Sequence, residues 1–229
     1  MESPSSLAGR LALVTGGAHG FDTAIATALE SNGARVVVAD RDDAPIRCDL
    51  GLPGEAARMV AEAVERLGGL HILVNNAGGY ASPTYPQNAN WRTPLELNLG
   101  AVMEATRHAL PALAAGAGCV VNIASSAGLG RAPYGGVEYA VAKAGVIRLT
   151  TALGRVDGVR VNCLCPHTVA NEGVLRALET ASIEDIAPPP PTLIGVDEVV
   201  DAALRLIGDE SLAGKVLVLV GGEEPRLLA

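Results

Sequence analysis

The sequence has no excess of basic residues, no paired cysteine motif and no long apolar run, and each shortage closes off a class of function. Lys and Arg number 17 against 25 Asp and Glu, for a formal net charge of −8 over 229 residues. An acidic balance offers no positive footprint for nucleic acid, so no nucleic-acid partner is expected. No apolar run approaches the roughly 20 residues that a membrane helix needs, so no membrane association is expected either. The first ten residues lack a basic start followed by an apolar stretch, which argues against a secretory signal. Cys48, Cys119, Cys163 and Cys165 form neither a C-x-x-C motif nor a Cys/His cluster at zinc spacing, and no metal site is expected. Cys163 and Cys165 stand two apart, on one face of a strand, where free cysteines behave as small buried apolar residues. Unpaired thiols suit a reducing cytoplasm, the expected location. Internal repeats and composition breaks are also absent. No Arg-rich cluster marks a phosphate-bearing substrate.

What is present is a core. Hydrophobic residues make up 49% and charged residues 18%, enough for one domain over 1–229. Short, mostly β-branched runs without polar alternation predict buried strands over 11–14, 35–39, 72–74, 119–123, 160–164 and 215–220. Helical patterns lie between them, over about 21–32, 54–67, 92–114, 136–153 and 197–207. Strand–helix alternation predicts an α/β fold: a doubly wound, single, mostly parallel sheet of about seven strands with helices on both faces. Two segments are irregular, 78–94 and 171–195. The second contains Pro188-Pro189-Pro190-Pro191, which forbids a helix there, and it is the expected substrate loop or lid.

The first strand runs into Thr15-Gly16-x-x-x-Gly20 and then a helix. In a Rossmann unit one glycine makes the tight turn and another lets backbone N–H groups approach a pyrophosphate. The spacing alone is weak evidence, and the flanking strand and helix strengthen it. The second strand ends at Asp40, about 20 residues beyond the turn, where a carboxylate bonds the adenosine ribose and repels a 2′-phosphate. That favours NAD over NADP. Arg41 is the counter-argument, since an arginine beside this position can receive a 2′-phosphate.

Tyr139 and Lys143 lie four apart, on one helix face. An ammonium beside a phenol favours the phenolate, and such a tyrosine can exchange a proton with an alcohol or carbonyl oxygen near neutral pH. Ser126 lies 13 residues before Tyr139, and Asn98 lies 28 residues before Ser126.

With Asn75-Asn76-Ala77-Gly78 after the 72–74 strand, these residues resemble the short-chain dehydrogenase/reductase family over nearly the whole chain. The resemblance implies hydride transfer between a nicotinamide cofactor and a ketone or secondary alcohol. Tyr139 would be the general acid/base. Lys143 would tune it and bind the nicotinamide ribose. Ser126 would bond the substrate oxygen, with Ser125 as the neighbouring alternative, and Asn98 would hold a water linking Lys143 to solvent. The implied cofactor contacts are Gly16, His19, Gly20, Phe21, Asp40, Arg41, Asp49, Leu50, Asn76, Ala77, Gly78, Tyr139, Lys143, Pro166 and Val169. Cys48-Asp49-Leu50 matches the adenine contact. The resemblance also implies a homotetramer or homodimer packed through the helices at 92–114 and 136–153.

The pattern is broken twice. Asp22 stands where the family's third glycine usually sits. It either suits the helix dipole and points aside, or it repels the pyrophosphate, with a protonated His19 as partial offset. His167 follows Pro166 where the family usually has glycine, and it either stands aside or faces the substrate. These departures motivate a second reading: a non-redox enzyme or nucleotide-binding regulatory protein built on the same fold. Tyr80, Tyr85, Trp91 and Tyr134 are candidate pocket residues. Val174, Leu175, Leu178, Ile183 and Ile186 suggest an apolar wall and an apolar or modestly polar substrate.

Overall fold

Residues 11–15 carry no polar alternation, and in the computed structural model they form β1 (Leu11–Thr15), buried beyond its first residue. The described residues are 6–16, 21–79, 90–130, 135–172, 174–175 and 192–228, with the backbone alone described at 21 and 22. Along the chain follow α1 (Phe21–Ser31), β2 (Arg35–Asp40), β3 (Ile46–Arg47), α2 (Glu55–Leu67) and β4 (Ile72–Asn75). A short α3 (Arg92–Leu95) runs through a π-helical turn (Glu96–Gly100) into α4 (Ala101–Ala115). Then come β5 (Cys119–Ile123), a 3-10 turn (Ser126–Gly128), α5 (Val137–Leu153), β6 (Arg155–Val156) and β7 (Val159–Pro166). The last elements are α6 (Val196–Gly208), β8 (Val216–Leu219) and β9 (Arg226–Leu228).

Among the described residues nine strands form one sheet, in the order β3-β2-β1-β4-β5-β7-β8-β9, with β6 beside β7. The pairs β6–β7 and β8–β9 are antiparallel and the rest are parallel. Every expected strand and helix is present. The strands that periodicity missed are β3 and β6, each two residues long, and the largely exposed edge strand β9. The expected helix at 92–114 is a composite, because the π turn interrupts it.

Strand alternation sorts the core into two layers. Val14, Val74 and Val121 face Ile25 and Leu29 of α1 and Val199, Ala203 and Leu206 of α6. Leu13, Leu73 and Val120 point the other way, toward Met59 and Ala63 of α2 and Ala105, Ala109 and Leu113 of α4. Val146 of α5 packs on Cys163 and Cys165 of β7. All four cysteines are buried and free. Burial pushes the Cys48 thiol up to about 11 and Cys163 to about 12, so both stay protonated.

A buried polar ladder couples the sheet to the helices on the α4–α5 side. Asn75 and Asn122 are register partners on β4 and β5. The Asn75 amide donates to Asn122 Oδ1 (2.9 Å) and to Thr106 Oγ1 of α4 (3.0 Å). The Asn122 amide donates to Thr150 Oγ1 of α5 (3.0 Å). Unpaired, each of these groups would be costly in the interior; paired, they fix the helices in one register. A second constraint is steric. Gly128 closes the 3-10 turn directly against α5, and a Cβ there would stand 2.6 Å from Ala144 N and 2.7 Å from the Lys143 carbonyl carbon.

Both obstacles at Gly128 are backbone, so neither can swing away. Gly128→Val should therefore destabilise the protein by about 1–3 kcal/mol through overpacking, read as a fall of several degrees in Tm by calorimetry. An unchanged Tm would show that the turn does not bear on α5.

Candidate active site

The sheet order reverses between β1 and β4, and open α/β sheets bind ligands beyond the carboxyl ends of the strands at such a switch. Here β1 ends at Thr15, whose Oγ1 accepts the N–H groups of Asn76 (3.0 Å) and Ala77 (3.1 Å). Gly16 follows in the left-handed region, at φ +80°, with its N–H donated to Ala39 O. A Cβ on Gly16 would lie 2.8 Å from Ala77 Cα, so both turn geometry and backbone crowding require glycine. His19, Gly20 and the side chains of Phe21 and Asp22 lie outside the described residues.

A cavity of about 220 Å³ opens at this end of the sheet. It is lined by Asn76, Gly78 and Gly79 after β4, by Ile123, Ala124 and Ser125 after β5, by Tyr139 and Lys143 of α5, and by the segment from Pro166 to Val169 after β7. Asn171 and Val174 complete the described wall. Lys143 is 3% exposed; its Nζ donates to Ile123 O (2.9 Å) and stands 5.5 Å from the Tyr139 ring centroid. A buried ammonium is tolerable only where such partners exist.

The cavity favours the neighbouring serine over Ser126. Ser125 is buried and lines the cavity, whereas Ser126 is half-buried and does not. The local turn agrees. Ser125 is the N-cap of the 3-10 turn, with its Oγ accepting the Ala127 N–H (3.2 Å), while Ser126 is the turn's first residue.

Asn98 sits in the π turn, fully buried. Its Oδ1 accepts Gly79 N–H (3.1 Å) and its amide donates to Gly79 O (3.0 Å) and Pro94 O (2.9 Å). Both amide hydrogens are thereby used, so the side chain clamps the strand-end loop. Gly78 passes so close that a Cβ would be 2.6 Å from Asn98 Oδ1 and 3.4 Å from Lys143 Nζ.

Farther along the switch-point edge, Asp40 ends β2 with its carboxylate accepting the Asp42 N–H (3.0 Å). The Arg41 side chain is 74% exposed, 4.0 Å from Asp42. Asp49 Oδ1 accepts the Gly51 N–H (2.9 Å). Leu50, an expected cofactor contact, sends its side chain into the core beside Ile46 and Met59, because it follows an edge strand that α2 covers. Val169 lines the cavity and forms a parallel bridge with Ile194, fastening one end of the loop at 171–195 to the other. Of the apolar wall, Val174 lines the cavity and Leu175 is exposed; Leu178, Ile183, Ile186 and the four prolines lie outside the described residues. Trp91 is exposed beside Arg92 and is not among the described lining residues, and Tyr80, Tyr85 and Tyr134 lie outside the described residues. Among the described residues no cluster of His, Cys, Asp and Glu could hold a metal, and no helix is long and apolar enough to cross a membrane.

Comparison with known proteins agrees with this geometry. Residues 10–180 match the short chain dehydrogenase family model. The chain is 32% identical to a bovine (Bos taurus) L-fucose dehydrogenase, covering 95% of this chain and 90% of that protein. It is 33% identical to an acetoacetyl-CoA reductase of Allochromatium vinosum, covering 93% and 98%. A crystal structure of a Thermus thermophilus protein superposes with a TM-score of 0.84 at 32% identity, covering 93% of this chain and 98% of that one. With the strand-end cavity, the Tyr139–Lys143 pair and a family match over most of its length, the chain belongs to the short-chain dehydrogenase family.

Proposed function

We propose that the chain is a nicotinamide-dependent oxidoreductase that interconverts a secondary alcohol and its ketone, prefers NAD(H), and uses Tyr139 as proton donor and acceptor. The observation that carries this reading is the convergence of Ser125, Tyr139 and Lys143 on one cavity at the switch-point end of the sheet. Relatives named as an L-fucose dehydrogenase and an acetoacetyl-CoA reductase support the reaction class.

The residues present fit a nicotinamide nucleotide. A glycine-bounded turn follows β1, a carboxylate ends β2, and an ammonium stands in the cavity. When bound, that group supplies or accepts the hydride. The chain does the rest. Tyr139 exchanges the proton of the reacting oxygen. The Lys143 ammonium stabilises the phenolate by charge. Ser125 Oγ already accepts the Ala127 N–H, so the part assigned to its hydroxyl is to donate to the reacting oxygen. Asn98 and Gly78 are positioning residues that hold the loop beside Lys143.

Asp40 supports NAD(H), since a carboxylate there repels a 2′-phosphate. Arg41, out in solvent, offers no fixed counter-charge for one. The substrate we favour is neutral, because among the described lining residues Lys143 is the single cationic side chain and none carries a carboxylate. The non-redox alternative rested on Asp22 and His167. The buried Lys143, in place beside Tyr139, and the names of the relatives both weigh against it.

Steady-state kinetics on a secondary alcohol should show kcat/KM falling about 10²–10⁴-fold in Tyr139→Phe, the usual worth of a positioned general acid/base. Ser125→Ala should lose about 10²-fold, whereas Ser126→Ala should stay within about twofold of wild type for want of contact with the reacting oxygen. A Ser126→Ala variant more damaged than Ser125→Ala would reverse the serine assignment. Calorimetric titration should give NADH at least about tenfold tighter binding than NADPH, with Asp40→Ala narrowing the gap by removing a like charge. An unchanged ratio in that variant would remove Asp40 from cofactor selection.

A further inference from the structure

We infer that Gly221 is a positioning residue for the ligand cavity: residues 192–194, which return from the 171–195 loop, rest on it, and the absence of a side chain there sets where the cavity wall at Thr168 and Val169 stands. This deepens the proposed function and rests on it.

Gly221 follows β8 and is buried, but it is not among the described lining residues of the cavity. Its backbone lies outside the left-handed region, so conformation does not demand glycine. Space does. A Cβ on Gly221 would overlap the Thr192 carbonyl oxygen, and it would stand 2.6 Å from the Thr192 carbonyl carbon and 3.0 Å from that of Leu193. All three obstacles are backbone, so none can swing aside. The segment would have to recede by about 1 Å to reach ordinary van der Waals contact.

That recession reaches the wall. Ile194, two residues on from Thr192 and fully buried, donates its N–H to Thr168 O (2.9 Å) and accepts the Ala170 N–H (2.8 Å), a parallel bridge centred on Val169. Thr168 and Val169 line the cavity, and Val169 O accepts the N–H of Asn171, another lining residue (2.8 Å). His167 N–H is in turn tied to Leu219 O, two residues before Gly221 (2.9 Å). Residues 167–171 are thus held by β8 directly and, through residues 192–194, by Gly221. A push at Thr192 is passed to the bridge at Val169, one of the implied cofactor contacts. A misplacement of about 1 Å in a group that orients a ligand costs up to about 10²-fold.

Gly222 offers an internal comparison. It lies at φ +80° in the turn closed by Glu223 N–H on Val220 O (3.0 Å). There conformation requires glycine, and the nearest atoms to a Cβ would be those of the Thr192 side chain, from 3.4 Å outward. One glycine serves the turn, and its neighbour serves the wall.

The test compares Gly221→Ala with Gly222→Ala. Both should lower Tm, the first by overpacking and the second by backbone strain. By hydrogen exchange, the Ala170 and Ile194 amides of Gly221→Ala should exchange about tenfold faster relative to the Cys163 amide. That amide bonds Lys215 O between β7 and β8, so it reports loss of the fold as a whole. Calorimetric titration should show NADH bound about tenfold more weakly by Gly221→Ala and within about twofold of wild type by Gly222→Ala. Ile194→Val, which trims the same segment inside the core, should give both changes at about threefold, and it carries the test if Gly221→Ala is not recovered folded. Unaltered relative exchange at Ala170 and Ile194, or NADH weakened equally by the two glycine variants, would overturn the inference. So would faster exchange there with NADH affinity intact. These results leave the proposed function standing, because wild type still binds NADH. Wild type that binds no NADH would overturn both.

Discussion

The buried ammonium of Lys143 is the constraint around which the site is built. At 3% exposure a charged group must be met by partners or it shifts the fold against itself. The Ile123 carbonyl meets it because β5 ends there, and α5 can bring Lys143 to that carbonyl because the adjoining turn carries glycine. A side chain at Gly128 would force α5 away from the strand end. A side chain at Gly78 would crowd Asn98 and approach Nζ. The small residues around the cavity are thus explained by one cation more simply than by separate roles.

The polar ladder from Asn75 through Asn122 to Thr150 serves the same end from inside the core. It links two of the strands whose carboxyl ends form the cavity to the helix that carries Tyr139 and Lys143. Asn98 works from the other side, tying the loop after β4 to the π turn. Strand ends, helix and loop are held by hydrogen bonds that only one arrangement satisfies, so the reacting groups are placed before any ligand arrives. Such preorganisation is the main protein contribution when the cofactor carries the hydride chemistry.

Much of this was legible in the sequence, for identifiable reasons. Buried strands write themselves as short apolar runs without polar alternation, so β1, β2, β4, β5, β7 and β8 were readable, and Tyr139 with Lys143 was readable from helical spacing. Less legible were local features. Separation along the chain pointed to Ser126, whereas the cavity lining and the N-cap of the short turn favour Ser125. The direction of the Leu50 side chain, into the core beside Ile46 and Met59, is not written in a motif position. The π turn at Asn98 leaves no periodic mark, since a single widened turn shifts the apolar pattern by less than the pattern's own noise. Gly128 escaped notice because a glycine required by close approach looks like any other until its neighbour is known.

The most direct test of the central claim follows the hydrogen on the reacting carbon. The protein would be given NAD and a secondary alcohol deuterated at the carbinol carbon, and the products examined by NMR. Deuterium recovered at C4 of the reduced nicotinamide is the expected result, because it requires the alcohol carbon and the cofactor to meet in the cavity of Tyr139, Ser125 and Lys143. Deuterium released to solvent or retained in a rearranged product, with no reduced cofactor formed, would contradict hydride transfer and return the cavity to non-redox chemistry.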